Sequence, residues 1–130
     1  MINLQHTGQA TADAIKLLVY GAAGVGKTSL IPTMPAPIIL SAEAGLLSIA
    51  SADLPFLAIK SMDDLREAYT WLTTSDDAKG FKSIALDSIS EIAEVCLDAE
   101  KKSAKDPRQA YGEMATTMAQ VIRLFRDIPD

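Results

Sequence analysis

The 130-residue sequence is short of the residues that staple or metallate a scaffold. It has one cysteine, Cys96, and one histidine, His6. A lone cysteine closes no internal disulfide, and one Cys with one His is too few for a zinc cluster. Aromatic residues make up only 5% of the chain, and its only arginines are Arg66, Arg108, Arg123 and Arg126. No aromatic-basic cluster of the kind that grips nucleic acid is present. The net charge of −5 excludes a chain-wide basic surface, although it leaves room for a local patch. No apolar run approaches the roughly 20 residues that span a bilayer, so no membrane partner is expected. Met1 to Ala14 lacks a basic stretch followed by an apolar core, so no secretory leader is expected. The reading is a reduced, cytoplasmic protein. His6 lies in a polar stretch and is expected to be exposed and inert. What is present is ordinary: 48% hydrophobic and 22% charged residues, enough apolar surface for one folded domain over residues 1–130.

The apolar pattern alternates between strands and helices. Ile15 to Tyr20 reads as a buried first strand, closed by Gly21. A glycine-rich loop and a short helix from Lys27 to Ile31 follow, with Pro32, Pro35 and Pro37 stopping the helix. Ile38 to Leu40 begins a second strand, and Phe56 to Ile59 is a weaker candidate. Met62 to Thr73 reads as a helix capped by Ser61, with Met62, Leu65, Tyr69 and Leu72 on one face. Lys79 to Phe81 is a turn, and Ser83 to Asp87 is a third strand. Ser88 and Glu91 have capping-box spacing ahead of a face made by Ile89, Ile92, Cys96 and Ala99. Cys96 is expected to pack in a core. Asp106-Pro107 opens a last helix, with Tyr111, Met114, Met118, Ile122 and Phe125 as its core stripe. Alternating elements predict an α/β fold: a parallel sheet with helices packed on it.

Three segments carry chemistry. Gly21-Ala22-Ala23-Gly24-Val25-Gly26-Lys27-Thr28, followed by Ser29, fits the phosphate-binding loop pattern. The glycines let backbone N–H groups turn inward around phosphate oxygens, and the helix start adds unpaired N–H groups. Lys27 supplies a mobile charge for the terminal phosphates, and Thr28 a hydroxyl for the bridging magnesium ion. Asp87 ends an apolar strand and brings a carboxylate to the edge where the loop lies, as a second magnesium ligand acting through water. Ser88 either adds a hydrogen bond around that metal or simply caps the next helix. Glu43 sits just past the second strand. It is either a solvated loop residue or the group that orients an attacking water.

Together these segments resemble the RecA-type P-loop ATPases, and within them a phage-encoded branch of ATP-binding proteins used in single-strand DNA recombination. The resemblance rests on Leu18-Val19-Tyr20-Gly21, Leu40-Ser41-Ala42-Glu43-Ala44-Gly45-Leu46 and Ile84-Ala85-Leu86-Asp87-Ser88-Ile89, and covers the chain from about residue 15 onward. It implies a three-layer RecA-like sheet, ATP and Mg2+ as cofactors, Glu43 as the catalytic carboxylate beside Lys27, and Asp87 on magnesium. It also implies a homo-oligomer with shared active sites and, for a phage-encoded protein, the host cytoplasm. A RecA-type core has at least five strands, the fourth between the first and third. Only three good strands and one doubtful one are counted here, so the fourth and fifth are expected to be missing, with the DNA-binding loops they carry. Single-stranded DNA would then be contacted through segments absent from this chain. The chain is expected to be an N-terminal piece of a longer protein, or else its first and third strands pair directly. Without the central strand, Asp87 is expected to stand too far from Thr28 for both to hold one metal. The open sheet edge would invite a second chain.

The leading function is thus an ATP-binding and ATP-hydrolysing module of a DNA-recombination or annealing protein. A non-catalytic nucleotide-binding or assembly module is the alternative. A small-molecule phosphotransferase is a weaker one, since four arginines give little material for a lid. Arg108, Arg123 and Arg126 leave an arginine finger unassigned. A GTPase is disfavoured: Asn3 is the only asparagine, so no Asn-Lys-x-Asp element exists, and Asp77-Ala78-Lys79-Gly80 precedes the third strand instead of ending it.

Overall fold

In the computed structural model, which describes residues 1–9 and 14–129, the fold grows around one short strand. β1 (Pro37–Ser41) is buried at every position. Such a strand needs a ladder partner on each side and a covered surface on each face. β2 (Phe56–Ala58) and β3 (Ser83–Asp87) supply the partners, in the order β2-β1-β3, and both pair parallel to β1. The ladder runs from Pro37 opposite Ser83 to Ser41 opposite Asp87, and from Ile39 opposite Phe56 to Ser41 opposite Ala58. Parallel pairing brings the carboxyl ends of all three strands to one edge.

Side chains alternate along β1, so each face has its own core. Leu40 packs with Ile59, Leu65, Ala68, Ile92, Cys96 and Met118 under the helices. Ile39 packs on the opposite face with Ile31 and Ile49. Those two residues come from 3-10 segments, Thr28–Thr33 and Gly45–Ala52. The result is the expected three-layer α/β arrangement, with helices on one side and 3-10 turns on the other.

Three helices form the thicker layer. α1 (Met62–Thr74) begins at Ser61, whose hydroxyl accepts from the Asp64 N–H while the Asp64 carboxylate accepts from the Ser61 and Lys60 N–H groups. This reciprocal cap holds two of the donors that a helix start leaves unpaired. It also holds Asp64 below the usual carboxylate range, chiefly through the Lys60 N–H. α2 (Ile89–Ser103) buries Ile92, Cys96 and Leu97. Burial pushes the Cys96 thiol up, which suits a packing role. α3 (Pro107–Arg126) starts at Asp106, whose carboxylate accepts from the Arg108 N–H. Among the described residues no helix is long and apolar enough to cross a membrane.

The structure corrects several sequence expectations. Ile15 to Tyr20 forms no strand; it lies outside the sheet with Ile15 94% and Leu18 71% exposed. It does not pair with β3 either, and a strand without a ladder neighbour has nothing to satisfy its backbone. The helix expected over Lys27 to Ile31 is a 3-10 segment that passes through Pro32. A missing N–H is tolerated in so short a turn, which closes through the Met34 N–H on the Ile31 carbonyl at 3.0 Å. On α3 two positions of the expected stripe differ: Met118 is buried as expected, but Ala110 is buried beside an exposed Tyr111, and Ile122 is exposed too. Met114, Val121 and Phe125 complete it, with Phe125 set edge-on to Tyr69 at 5.4 Å. The turn expected at Lys79 to Phe81 is the end of a 3-10 segment, Asp76–Gly80.

Candidate functional site

The carboxyl edge of the sheet gathers the residues singled out for chemistry. Ser41 and Asp87 are ladder partners at the last rung, and the Ala42 N–H extends the pairing to the Asp87 carbonyl at 3.1 Å. The chain then turns. The Ser41 hydroxyl, buried at the end of β1, donates to the Glu43 carbonyl at 3.0 Å. Glu43 is thereby placed two residues beyond the last rung on the β1 side, and Ser88 one residue beyond it on the β3 side. The Ser88 hydroxyl donates to Glu43 Oε1 at 3.0 Å.

The glycine-rich loop reaches the same edge. Gly24 and Gly26 take φ of 79° and 97°, values open to glycine and costly for other residues. A Cβ at Gly21 would come within 3.1 Å of the Val25 side chain. The loop is pinned at its end by Ser29 N–H on the Gly26 carbonyl at 3.1 Å. Lys27 folds across it, its ammonium donating to the carbonyls of Gly21 and Ala22 at 2.8 and 2.9 Å. That ammonium already lies over the loop, tethered only by neutral acceptors. An incoming anion is a stronger partner than a carbonyl. Gly21, Ala22, Ala23, Gly24, Val25, Gly26 and Ser29 are exposed, and Lys27 and Thr28 half-buried.

The decisive contact is between Thr28 and Asp87, 59 residues apart in sequence. Thr28 Oγ1 donates to Asp87 Oδ2 at 3.0 Å. The expected gap between these two residues is therefore absent. The 3-10 segment that begins at Thr28 packs Ile31 against Ile39 and brings its first turn over the end of β3. No central strand is needed for the approach. The helix contribution is smaller than expected, since a six-residue 3-10 turn carries little aligned dipole.

The donor set fits a magnesium ion. A hydroxyl and a carboxylate are hard oxygen donors. Adjacent corners of an octahedron with metal–oxygen distances of about 2.0–2.1 Å lie about 3 Å apart. Magnesium is commonly held by one or two protein oxygens with the rest from water and phosphate. Among the described residues no cluster of three or more His, Cys, Asp or Glu exists that would make a dedicated metal cage.

Of the two roles left open for Ser88, the structure shows the capping one, and its donated bond goes to Glu43. Besides donating to Glu43, its hydroxyl accepts from the Glu91 N–H at 3.3 Å and caps α2. Sequence reasoning missed Ser41, although a hydroxyl two residues ahead of a turning carbonyl is a known local signal. It also missed Gly45, where a Cβ would stand 3.4 Å from Glu43 Oε2. Of the unassigned arginines, Arg126 is engaged with the Asp127 carboxylate at 2.7 and 3.0 Å. A cleft of about 410 Å3 lies elsewhere, lined by Tyr69, Gln120, Arg123, Leu124 and Asp127.

Parallel strands between layers, with a glycine-rich loop and a strand-end aspartate meeting at their carboxyl edge, make a P-loop NTPase-like domain. A family model described as an AAA domain matches residues 13–130. The chain belongs to that family, and with it to nucleotide-binding ATPase modules. No curated protein and no solved structure gives a significant match.

Proposed function

We propose that the chain binds ATP with magnesium on the loop from Gly21 to Ser29, and that Glu43 orients the water that hydrolyses it. The observation that carries this reading is the 3.0 Å contact between Thr28 and Asp87, with Glu43 held one residue away from Asp87 by Ser88. In this reading Lys27 leaves the carbonyls of Gly21 and Ala22 for the terminal phosphates. In the same reading, backbone N–H groups of the loop take the remaining phosphate oxygens. Thr28 and Asp87 hold the magnesium ion, which neutralises charge on the phosphates when bound. Glu43, exposed at the mouth of the site, accepts a proton from water approaching the terminal phosphate.

The test is a calorimetric titration with ATP and magnesium, followed by a phosphate-release assay. Binding should fall at least tenfold in Lys27→Ala, about 1.4 kcal/mol or more. Phosphate release should fall by about 10^2-fold in Glu43→Gln with binding retained. Unchanged binding in Lys27→Ala would remove the site from the loop. Unchanged release in Glu43→Gln would remove its catalytic role.

The finer reading is a phage-type module for single-strand DNA recombination or annealing, acting as a homo-oligomer. The motif resemblance around Glu43 and Asp87 supports it. ATP turnover stimulated by single-stranded DNA would bear it out, and turnover indifferent to DNA would count against it. A non-catalytic assembly module is supported by one observation, the unpaired Ile15 to Tyr20 segment. ATP binding with no phosphate release would favour that reading.

A further inference from the structure

We infer that Ser88 is a positioning residue for Glu43, and that its hydroxyl couples the water-orienting carboxylate to the start of α2. The inference rests on the proposed role of Glu43. It comes from proton bookkeeping at one hydroxyl. A serine has one proton to donate and two lone pairs to accept with. The Glu91 N–H takes a lone pair at 3.3 Å, because an N–H only donates. The single proton is then free for Glu43 Oε1 at 3.0 Å, where an ionised carboxylate can only accept. The Ser88 hydroxyl is thus satisfied in one sense only: helix N–H to serine to glutamate.

The geometry around Glu43 gives this chain a purpose. Its backbone is pinned by the Ser41 hydroxyl on its carbonyl. Its Oε1 is pinned by Ser88, and its Oε2 lies over Gly45, which has no side chain to cover it. One oxygen is fixed and the other is left to meet water. Glu43 is exposed, so without the Ser88 contact its side chain would be free to sample several rotamers. The hydroxyl removes that freedom at the atom that does not react. Because the same hydroxyl caps α2, a displacement of the α2 start shifts the carboxylate with it.

The experiment separates positioning from capping with three substitutions. Ser88→Ala loses donor and cap. Ser88→Gly loses the donor, while glycine remains a fair N-cap. Ser88→Thr keeps both. Steady-state phosphate release and thermal unfolding are read for each. Positioning predicts a kcat about tenfold lower in both Ala and Gly variants, with KM for ATP within twofold, and recovery in Thr. A capping role alone predicts Gly close to wild type in kcat, and that result overturns the proposal. The 13C signal of the Glu43 carboxyl, followed in labelled protein, gives a reading independent of turnover. It should move in Ser88→Gly and hold in Ser88→Thr. A signal indifferent to Ser88→Gly overturns the proposal even if the chain hydrolyses nothing. Turnover unaffected by Glu43→Gln would instead sink the reading of Glu43 itself.

Discussion

Ile15 to Tyr20 and Ser83 to Asp87 are both short apolar runs that lead to residues of the candidate site, yet they end in different states. Ser83–Asp87 is a strand, laddered to β1 over five residue pairs, with Ala85 on one core and Ile84 and Leu86 on the other. The Ile15 to Tyr20 run makes no ladder and leaves Leu17, Leu18 and Tyr20 on the surface. The difference is not in the residues, since both runs are rich in aliphatic side chains. It lies in what the rest of the chain offers them. β3 finds β1 beside it and helices above it. The earlier run finds no ladder partner among the described residues. A strand is a property of a pair, and an apolar pattern only states a willingness to join one.

The sharpest test of this contrast is a matched pair of leucine truncations. Leu40 in β1 is fully buried, and Leu40→Ala should cost about 2–5 kcal/mol in urea unfolding. Leu18→Ala should cost within about 0.5 kcal/mol, as expected of a side chain with little to lose. Native-state amide exchange should agree, with β1 protected and residues 15–20 exchanging fast. A Leu18→Ala cost comparable to that of Leu40→Ala would mean the segment is packed in solution, and the contrast would fail.

The same contrast marks how far the sequence could be read. The strands at Ile38 to Leu40, Phe56 to Ile59 and Ser83 to Asp87 were legible because apolar runs bounded by turn residues met partners within the chain. The helix starts at Ser61, Ser88 and Asp106 were legible because capping is settled within four residues. The strand at Ile15 to Tyr20 was misread because its pairing is a long-range property. The α3 stripe was right at Met114, Met118 and Phe125 and off by one at Tyr111 and Ile122, whose neighbours Ala110 and Val121 turn inward instead, because periodicity alone does not choose between adjacent positions at the margin of a stripe. At the site, the sequence singled out Thr28, Asp87, Glu43 and Ser88 but misjudged the first two as too far apart. That error assumed a central strand was needed to bring them together. In the structure the packing of Ile31 on Ile39 does it.

The next effect in size belongs to that contact. Thr28→Ala and Asp87→Ala should each weaken ATP binding about tenfold with magnesium present, about 1.4 kcal/mol. Without magnesium the three proteins should bind alike, because both residues are proposed to act through the metal. Calorimetry with and without a chelator reads this directly. A loss that persists in chelator would mean the pair supports the loop and does not serve a metal.

A smaller effect tests the local signals of the packed half. Ser61→Ala removes the hydroxyl that accepts from Asp64 N–H, and should lower stability by about 1 kcal/mol in urea unfolding. A neutral result would mean that α1 is held by Leu65 and Ala68 in the core regardless of how it begins.

The smallest effect is the pH dependence of the same cap, and its sign follows from the direction of the shift. Asp64 is held below its ordinary value of 3.8, first by the Lys60 N–H and then by Ser61. A carboxylate with a depressed folded value contributes stability that is fully present above the unfolded value and lost as pH falls through the folded one. Thermal unfolding of wild type and Asp64→Asn should therefore differ near neutral pH, with wild type the more stable. The two curves should converge in acid below 3.8, where wild-type Asp64 takes up its proton. The group is half-buried and still open to water on one side, so solvent screens part of the interaction and the gap should be modest. A gap that stays constant into acid would mean that the asparagine acts by altering the shape of the cap. The charge of Asp64 would then have no part in holding the start of α1.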